Sequence, residues 1–175
     1  MFLEQDLGFR LHSAAANLLR YETKNVFVVV SYDAQRSFEL SLNLGQKTGA
    51  VERSFNFGEV LRSVEAPKNV ASAYQVTSDE ALNEFLNKLA KNLQQYGMSF
   101  LQNSPAAFVR ISQLRERECE QYALDRDLRK ARVEAETAWQ KKDYPVVVKA
   151  LKPFRAALTA TEVEKLDFAQ KQSKR

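Results

Sequence analysis

Three consecutive stretches decide the fold: Val26-Phe27-Val28-Val29-Val30-Ser31-Tyr32, the polar break Asp33-Ala34-Gln35-Arg36-Ser37, and Phe38-Glu39-Leu40-Ser41-Leu42-Asn43-Leu44. In the third, Phe38, Leu40, Leu42 and Leu44 alternate with Glu39, Ser41 and Asn43, so an extended backbone places every large apolar side chain on one face. The first is β-branched or aromatic almost throughout, which suits a central strand. The break between them has the length and polarity of a hairpin connection. A β-hairpin is therefore predicted over residues 26–44, and its apolar face requires a cover.

The cover is predicted at Thr77 to Tyr96. Thr77 and Glu80 have capping-box spacing, Leu82, Phe85, Leu86, Leu89 and Leu93 recur at helical intervals, and Gly97 stands where a left-handed C-terminal residue belongs. Upstream, a short amphipathic helix or a turn is expected at Phe2 to Leu7. Strands through Phe9 and Leu11 and over Leu18 to Thr23 would extend the hairpin into an antiparallel meander, although Ala14-Ala15-Ala16 favours helix on propensity. Gly45-Gln46-Lys47-Thr48-Gly49 holds the residue types of a phosphate-binding loop in the wrong order, since the Lys precedes the second glycine, and it reads as a plain turn. Phe55, Phe57, Val60, Leu61 and Val64 predict a short helix around Gly58 to Val64, ended by Pro67. Ser104-Pro105 opens a further helix with Phe108, Val109, Ile111 and Leu114 on its inward face.

At 175 residues, with 45% hydrophobic and 27% charged residues, the composition is that of a globular chain with one substantial core. Residues 1–109 carry ten Lys/Arg against eleven Asp/Glu, and residues 110–175 carry sixteen against eleven, so the net charge of +4 originates in the C-terminal part. From Arg115 to Lys142 the sequence is dense in charge and reads as one long helix, or as two broken near Asp125. The fold class is α+β: a small antiparallel β-meander packed against helices, with an all-α C-terminal half. Residues 1–114 are assigned to an α+β core domain and residues 115–175 to a charged α-helical extension packed on it. No apolar run reaches the length of a membrane-spanning helix, no signal-peptide core is present, and Cys119 is the only cysteine. A cytoplasmic protein without membrane contact is expected.

Ala135, Ala138 and Trp139, the corner Lys142-Asp143-Tyr144-Pro145, and Val147, Val148, Ala150 and Leu151 together resemble one tetratricopeptide-type helix pair. The capping-box spacing of Thr159 and Glu162, followed by Val163, Leu166 and Ala169, looks like the start of a next repeat or a cap. The Tyr32-Asp33 corner and the Ser37 to Leu40 strand resemble those of small bacterial α+β proteins of the immunity or accessory type. Both resemblances imply binding to another protein and supply no active-site residues.

His12, the only histidine, has no nucleophile at any motif spacing. The carboxylates at Glu116, Glu118, Glu120, Asp125 and Asp127 sit among Arg and Lys, the pattern of a solvated helix face. No residue is assigned a catalytic, cofactor-binding or metal-binding role. Two readings of function follow. The first is a non-enzymatic protein-binding module with an unidentified protein partner. The second is a nucleic-acid or polyanion binder using the basic C-terminal helices. Arg126, Arg129, Lys130, Lys149, Lys152 and Arg155 are the residues placed to make either contact, and Lys149, Lys152 and Arg155 recur every three positions with no acid between them.

Overall fold

The structure is a computed structural model and describes residues 2–173. In chain order the elements are α1 (Phe2–Gln5), β1 (Arg10–Ala15), β2 (Leu18–Glu22), β3 (Val26–Tyr32), β4 (Glu39–Thr48), β5 (Val51–Asn56), α2 (Phe57–Ser63) and β6 (Ala73–Gln75). They are followed by α3 (Asp79–Tyr96), α4 (Met98–Leu101), α5 (Pro105–Gln140), α6 (Tyr144–Leu151), a 3₁₀ turn over Lys152–Ala157, and α7 (Ala160–Gln172). The chain forms two compact units, Met1–Arg115 and Glu116–Arg175. The fold is α+β, with an antiparallel sheet in the first unit and helices only in the second. No helix among the described residues is long and apolar enough to cross a membrane.

In the first unit the strands lie in the order β1-β2-β3-β4-β5, all antiparallel, and β6 pairs with the start of β4. The register Val28↔Leu44, Val30↔Leu42 and Tyr32↔Leu40 puts the predicted apolar alternation on one face. That face is buried under helices: Val26, Val28, Leu40, Leu42 and Leu44 share a core with Phe55, Phe57, Val60, Leu89, Leu93, Phe100 and Ile111. Each such side chain contributes about 1.5–3 kcal/mol before its ordering entropy is subtracted. The hairpin turn is closed by Asp33, whose carboxylate accepts from the backbone N–H groups of Gln35, Arg36 and Ser37 and is thereby held below the usual carboxylate range.

Several predicted details differ. Phe38 lies outside the strand with φ of 52° and is 44% exposed, so the inward stripe is Leu40, Leu42 and Leu44 alone. The predicted turn at Gly45 to Gly49 is strand as far as Thr48, and the chain reverses at Gly49 into β5. Gly45 is required there because a Cβ would overlap the Arg53 carbonyl oxygen and come within 2.5 Å of the Phe27 ring. In α3 the N-cap is Ser78, not Thr77, and Gly97 ends the helix at φ −97°, not in the left-handed region. Val109 is 55% exposed, while Ala107, Phe108 and Ile111 form the buried face. α5 is one continuous helix through Asp125.

α5 is tied to the sheet through one buried carboxylate. Glu59 at the third position of α2 closes a reciprocal capping box with Asn56, and Arg115 of α5 grips the same carboxylate at 2.6 and 2.7 Å. Arg115 also donates to the Ser54 carbonyl and lies 4.2 Å over the Phe55 ring. Burial pushes the Glu59 carboxyl up, but Arg115 and the Asn56 N–H outweigh it and hold it below its ordinary value.

Two measurements on the full chain check this packing. Arg115→Met leaves the Glu59 carboxylate buried without its partner, and urea unfolding should show a loss of about 3 kcal/mol. Gly45→Ala forces β4 away from Arg53 and Phe27 and should cost about 2–3 kcal/mol, whereas Ala at the neighbouring open position Gly49 is penalised only through its positive φ, by about 1 kcal/mol.

Candidate functional site

The helix-free face of the sheet is organised around an aromatic ring. Phe27 points away from the helices, opposite Gly45, yet is only 3% exposed. The Arg20 guanidinium lies 4.5 Å above its ring and seals it from water. Arg20 is fixed by two Glu52 contacts at 2.6 and 3.2 Å and by Glu22 at 3.1 Å. Lys47 Nζ and His12 Nδ1 approach the other Glu22 oxygen at 3.2 and 3.1 Å. Burial raises the Glu22 carboxyl, and Lys47 and Arg20 more than compensate, so it remains ionised and fully engaged. This lattice is a lid over Phe27.

β1 borders that lattice and is an edge strand of the sheet. Gly8, at φ 68°, turns the chain out of α1 into β1, whose six residues are all exposed and whose sheet partner among the described residues is β2. A bulge falls between Leu11 and Ser13 and turns His12 towards Glu22. On the helix side Leu11 stands opposite Tyr21 and Ala14 opposite Leu19, and on the other side Arg10 stands opposite Glu22 and Ser13 opposite Arg20. One groove includes residues of β1, and a second is walled by its neighbour β2. One, of about 460 Å³, includes Arg10, His12, Glu22 and Lys24. The other, of about 230 Å³, is apolar, with Phe2, Leu19, Tyr21 and Leu86 among its walls. Among the described residues, Arg10 and Lys24 take part in no ion pair.

β5 is the other edge strand, with β4 as its sheet partner among the described residues and only Phe55 buried; it runs directly into α2, and its Ser54 carbonyl accepts from Arg115.

The residues predicted from the basic tail lie in the second unit, whose core is built from Ala131, Ala135, Ala138, Val147, Leu151, Leu166 and their neighbours. Arg126 pairs with Asp127 at 2.9 Å, and Arg155 with Asp167 of α7 at 2.7 Å. The acid missing from the Lys149, Lys152 and Arg155 segment is thus supplied by another helix. Arg129, Lys130, Lys149 and Lys152 are exposed and take part in no ion pair among the described residues. A groove of about 440 Å³ contains Arg132, Glu136, Glu162 and Lys165, but these charges neutralise one another through the Arg132–Glu162 and Lys165–Glu136 pairs, both at 2.6 Å. Trp139, Tyr144 and Phe168 pack edge to face at 5.6–5.8 Å beside it. Cys119 is exposed, and no group of three or more metal-ligating side chains occurs among the described residues.

The β1 surface escaped the sequence reading. Its one available signal was the alternation Leu18-Leu19-Arg20-Tyr21-Glu22, which places opposite charges on one strand face. No protein family, curated protein or solved structure was found to match this chain.

Glu162 is the most strongly perturbed carboxylate of the second unit. It accepts both Arg132 contacts and closes the Thr159 capping box, which together lower it to about 2. Its folded-state pKa is depressed, so its contribution is complete above the unfolded carboxylate range and is lost as pH falls from about 4.5 towards 2. With Arg132 partly exposed, that contribution is about 1 kcal/mol after solvent screening. Glu162→Gln should lower stability at neutral pH by this amount and flatten the acid limb. Urea unfolding followed by Trp139 fluorescence between pH 2 and 7 checks it.

Proposed function

We propose that this chain is a non-enzymatic protein-binding module of the cytoplasm that engages its partner along β1. The observation that carries this reading is a strand with all six residues exposed and, among the described residues, a single neighbour in the sheet. Exposed strand edges present unpaired N–H and C=O groups, and adding a partner strand satisfies them while side-chain pockets give specificity. The exposed thiol of Cys119 accords with a reducing compartment.

The polyanion reading has less behind it. A phosphate track needs consecutive unpaired bases, and Arg126, Arg132, Arg155 and Lys165 are each held by a carboxylate at 2.6–2.9 Å. Arg129, Lys130, Lys149 and Lys152 remain exposed and outside any ion pair among the described residues, as do Lys141, Lys142 and Lys171.

The two readings part in an affinity capture from lysate, run with and without nuclease. The variant Leu11→Lys with Ala14→Lys blocks the edge with charge, and Lys149→Glu with Lys152→Glu removes exposed bases from the second unit. The expected result is a discrete protein retained by the unaltered chain and by the Lys149/Lys152 variant. It resists nuclease and is lost with the Leu11/Ala14 variant, whose thermal midpoint stays within a few degrees. Recovery of nucleic acid, with capture abolished by nuclease and by the Lys149/Lys152 variant, would overturn the proposal.

A further inference from the structure

The two sides of β1 differ, and the difference specifies the occupant. A strand added to this edge would continue the pleat, sending alternate side chains to the two faces of the sheet. On the helix side they would fall beside Leu11, which is 47% exposed, and Ala14, whose β2 partners Tyr21 and Leu19 wall the apolar groove. On the opposite side they would fall beside Arg10, His12 and Lys24. Glu22, the one acid of that groove, is already engaged by Arg20 and Lys47, so the unspent charge there is positive.

We infer that β1 accepts an extended segment of another protein in which apolar and acidic side chains alternate, the apolar ones seated against Leu11 and Ala14 and the carboxylates against Arg10 and Lys24. This inference rests on the protein-binding reading and adds the chemistry of the partner. β1 spans about 20 Å at the usual strand rise, so about six residues of the segment would be held. A second copy of the chain is a poor occupant. Edge-to-edge pairing of two β1 strands supplies no acid for Arg10 and Lys24, because Glu22 of each copy is already engaged by Arg20 and Lys47.

The test uses the full chain, isotope-labelled for NMR, and capped eight-residue peptides alternating valine with glutamate, with serine or with lysine. The glutamate peptide should shift the amide resonances of residues 10–15 and of their β2 partners. Arg10→Glu with Lys24→Glu should weaken it at least about tenfold, as should the lysine peptide, and added salt should weaken it further. Three results would overturn the inference: equal affinity for the serine and glutamate peptides, shifts confined to Lys149 and Lys152, or concentration-dependent dimers abolished by Leu11→Lys with Ala14→Lys. Failure of the peptides alongside continued edge-dependent capture of a protein would sink the acidic-segment chemistry and leave the protein-binding reading standing. Loss of both would remove that reading as well.

Discussion

In each unit of this protein one carboxylate both caps a helix and receives an arginine from α5. Glu59 stands at the third position of α2, closes that helix's N-terminal box with Asn56, and receives the Arg115 guanidinium from α5. Glu162 stands at the third position of α7, closes the box with Thr159, and receives Arg132 from the same α5. A helix N-terminus favours negative charge and offers unpaired N–H groups, so a carboxylate held there is already ionised and oriented. An arginine arriving from another helix then meets an acceptor whose entropy is largely spent. Each unit thereby converts a local capping motif into a tertiary clamp on α5.

The sheet poses a second constraint, because it has two faces and helices for only one. The covered face is filled by ordinary apolar packing. The open face hides Phe27 with charged side chains, laying the Arg20 guanidinium over its ring and securing it with Glu22 and Glu52. Arg suits this task because its planar cation stacks on a ring while its edges donate to carboxylates. Gly45 is the other half of the same solution, since only a residue without Cβ leaves room for that ring beside the Arg53 carbonyl. The long β4, the Gly within it and the charge lattice are consequences of placing one phenylalanine on a solvent-facing surface.

Much of this was legible in residue order alone. The hairpin and α3 were readable because apolar spacing at two or 3.6 residues reports directly on which side of an element is buried. Gly45 was misread because a glycine signals a turn locally, while its role here is set by Phe27, eighteen positions earlier. Thr77 and Ser78 compete for the same cap, and the pairing of β6 and the path of the backbone decide between them. Arg155 looked free of acids because Asp167 belongs to another helix. The β1 surface was invisible for a deeper reason. An edge strand is defined by what does not pair with it, and Arg10 to Ala15, with a bulge and three small residues, carries no periodicity of its own.

An open edge is a hazard as well as an opportunity, and the structure of β1 separates the two. It is six residues long, bulged at its middle and charged at its first residue, three devices that discourage indiscriminate strand addition. The far edge is handled by another means, through the Ser54 carbonyl taken by Arg115. If suppression of pairing were all that mattered at β1, a lysine on each face would serve better than an exposed Leu11 on one side and Arg10 on the other. The asymmetry penalises most strands while leaving a low-cost arrangement for a segment that is apolar on one face and acidic on the other. Specificity of this kind comes from the cost imposed on the wrong partner as much as from contacts offered to the right one.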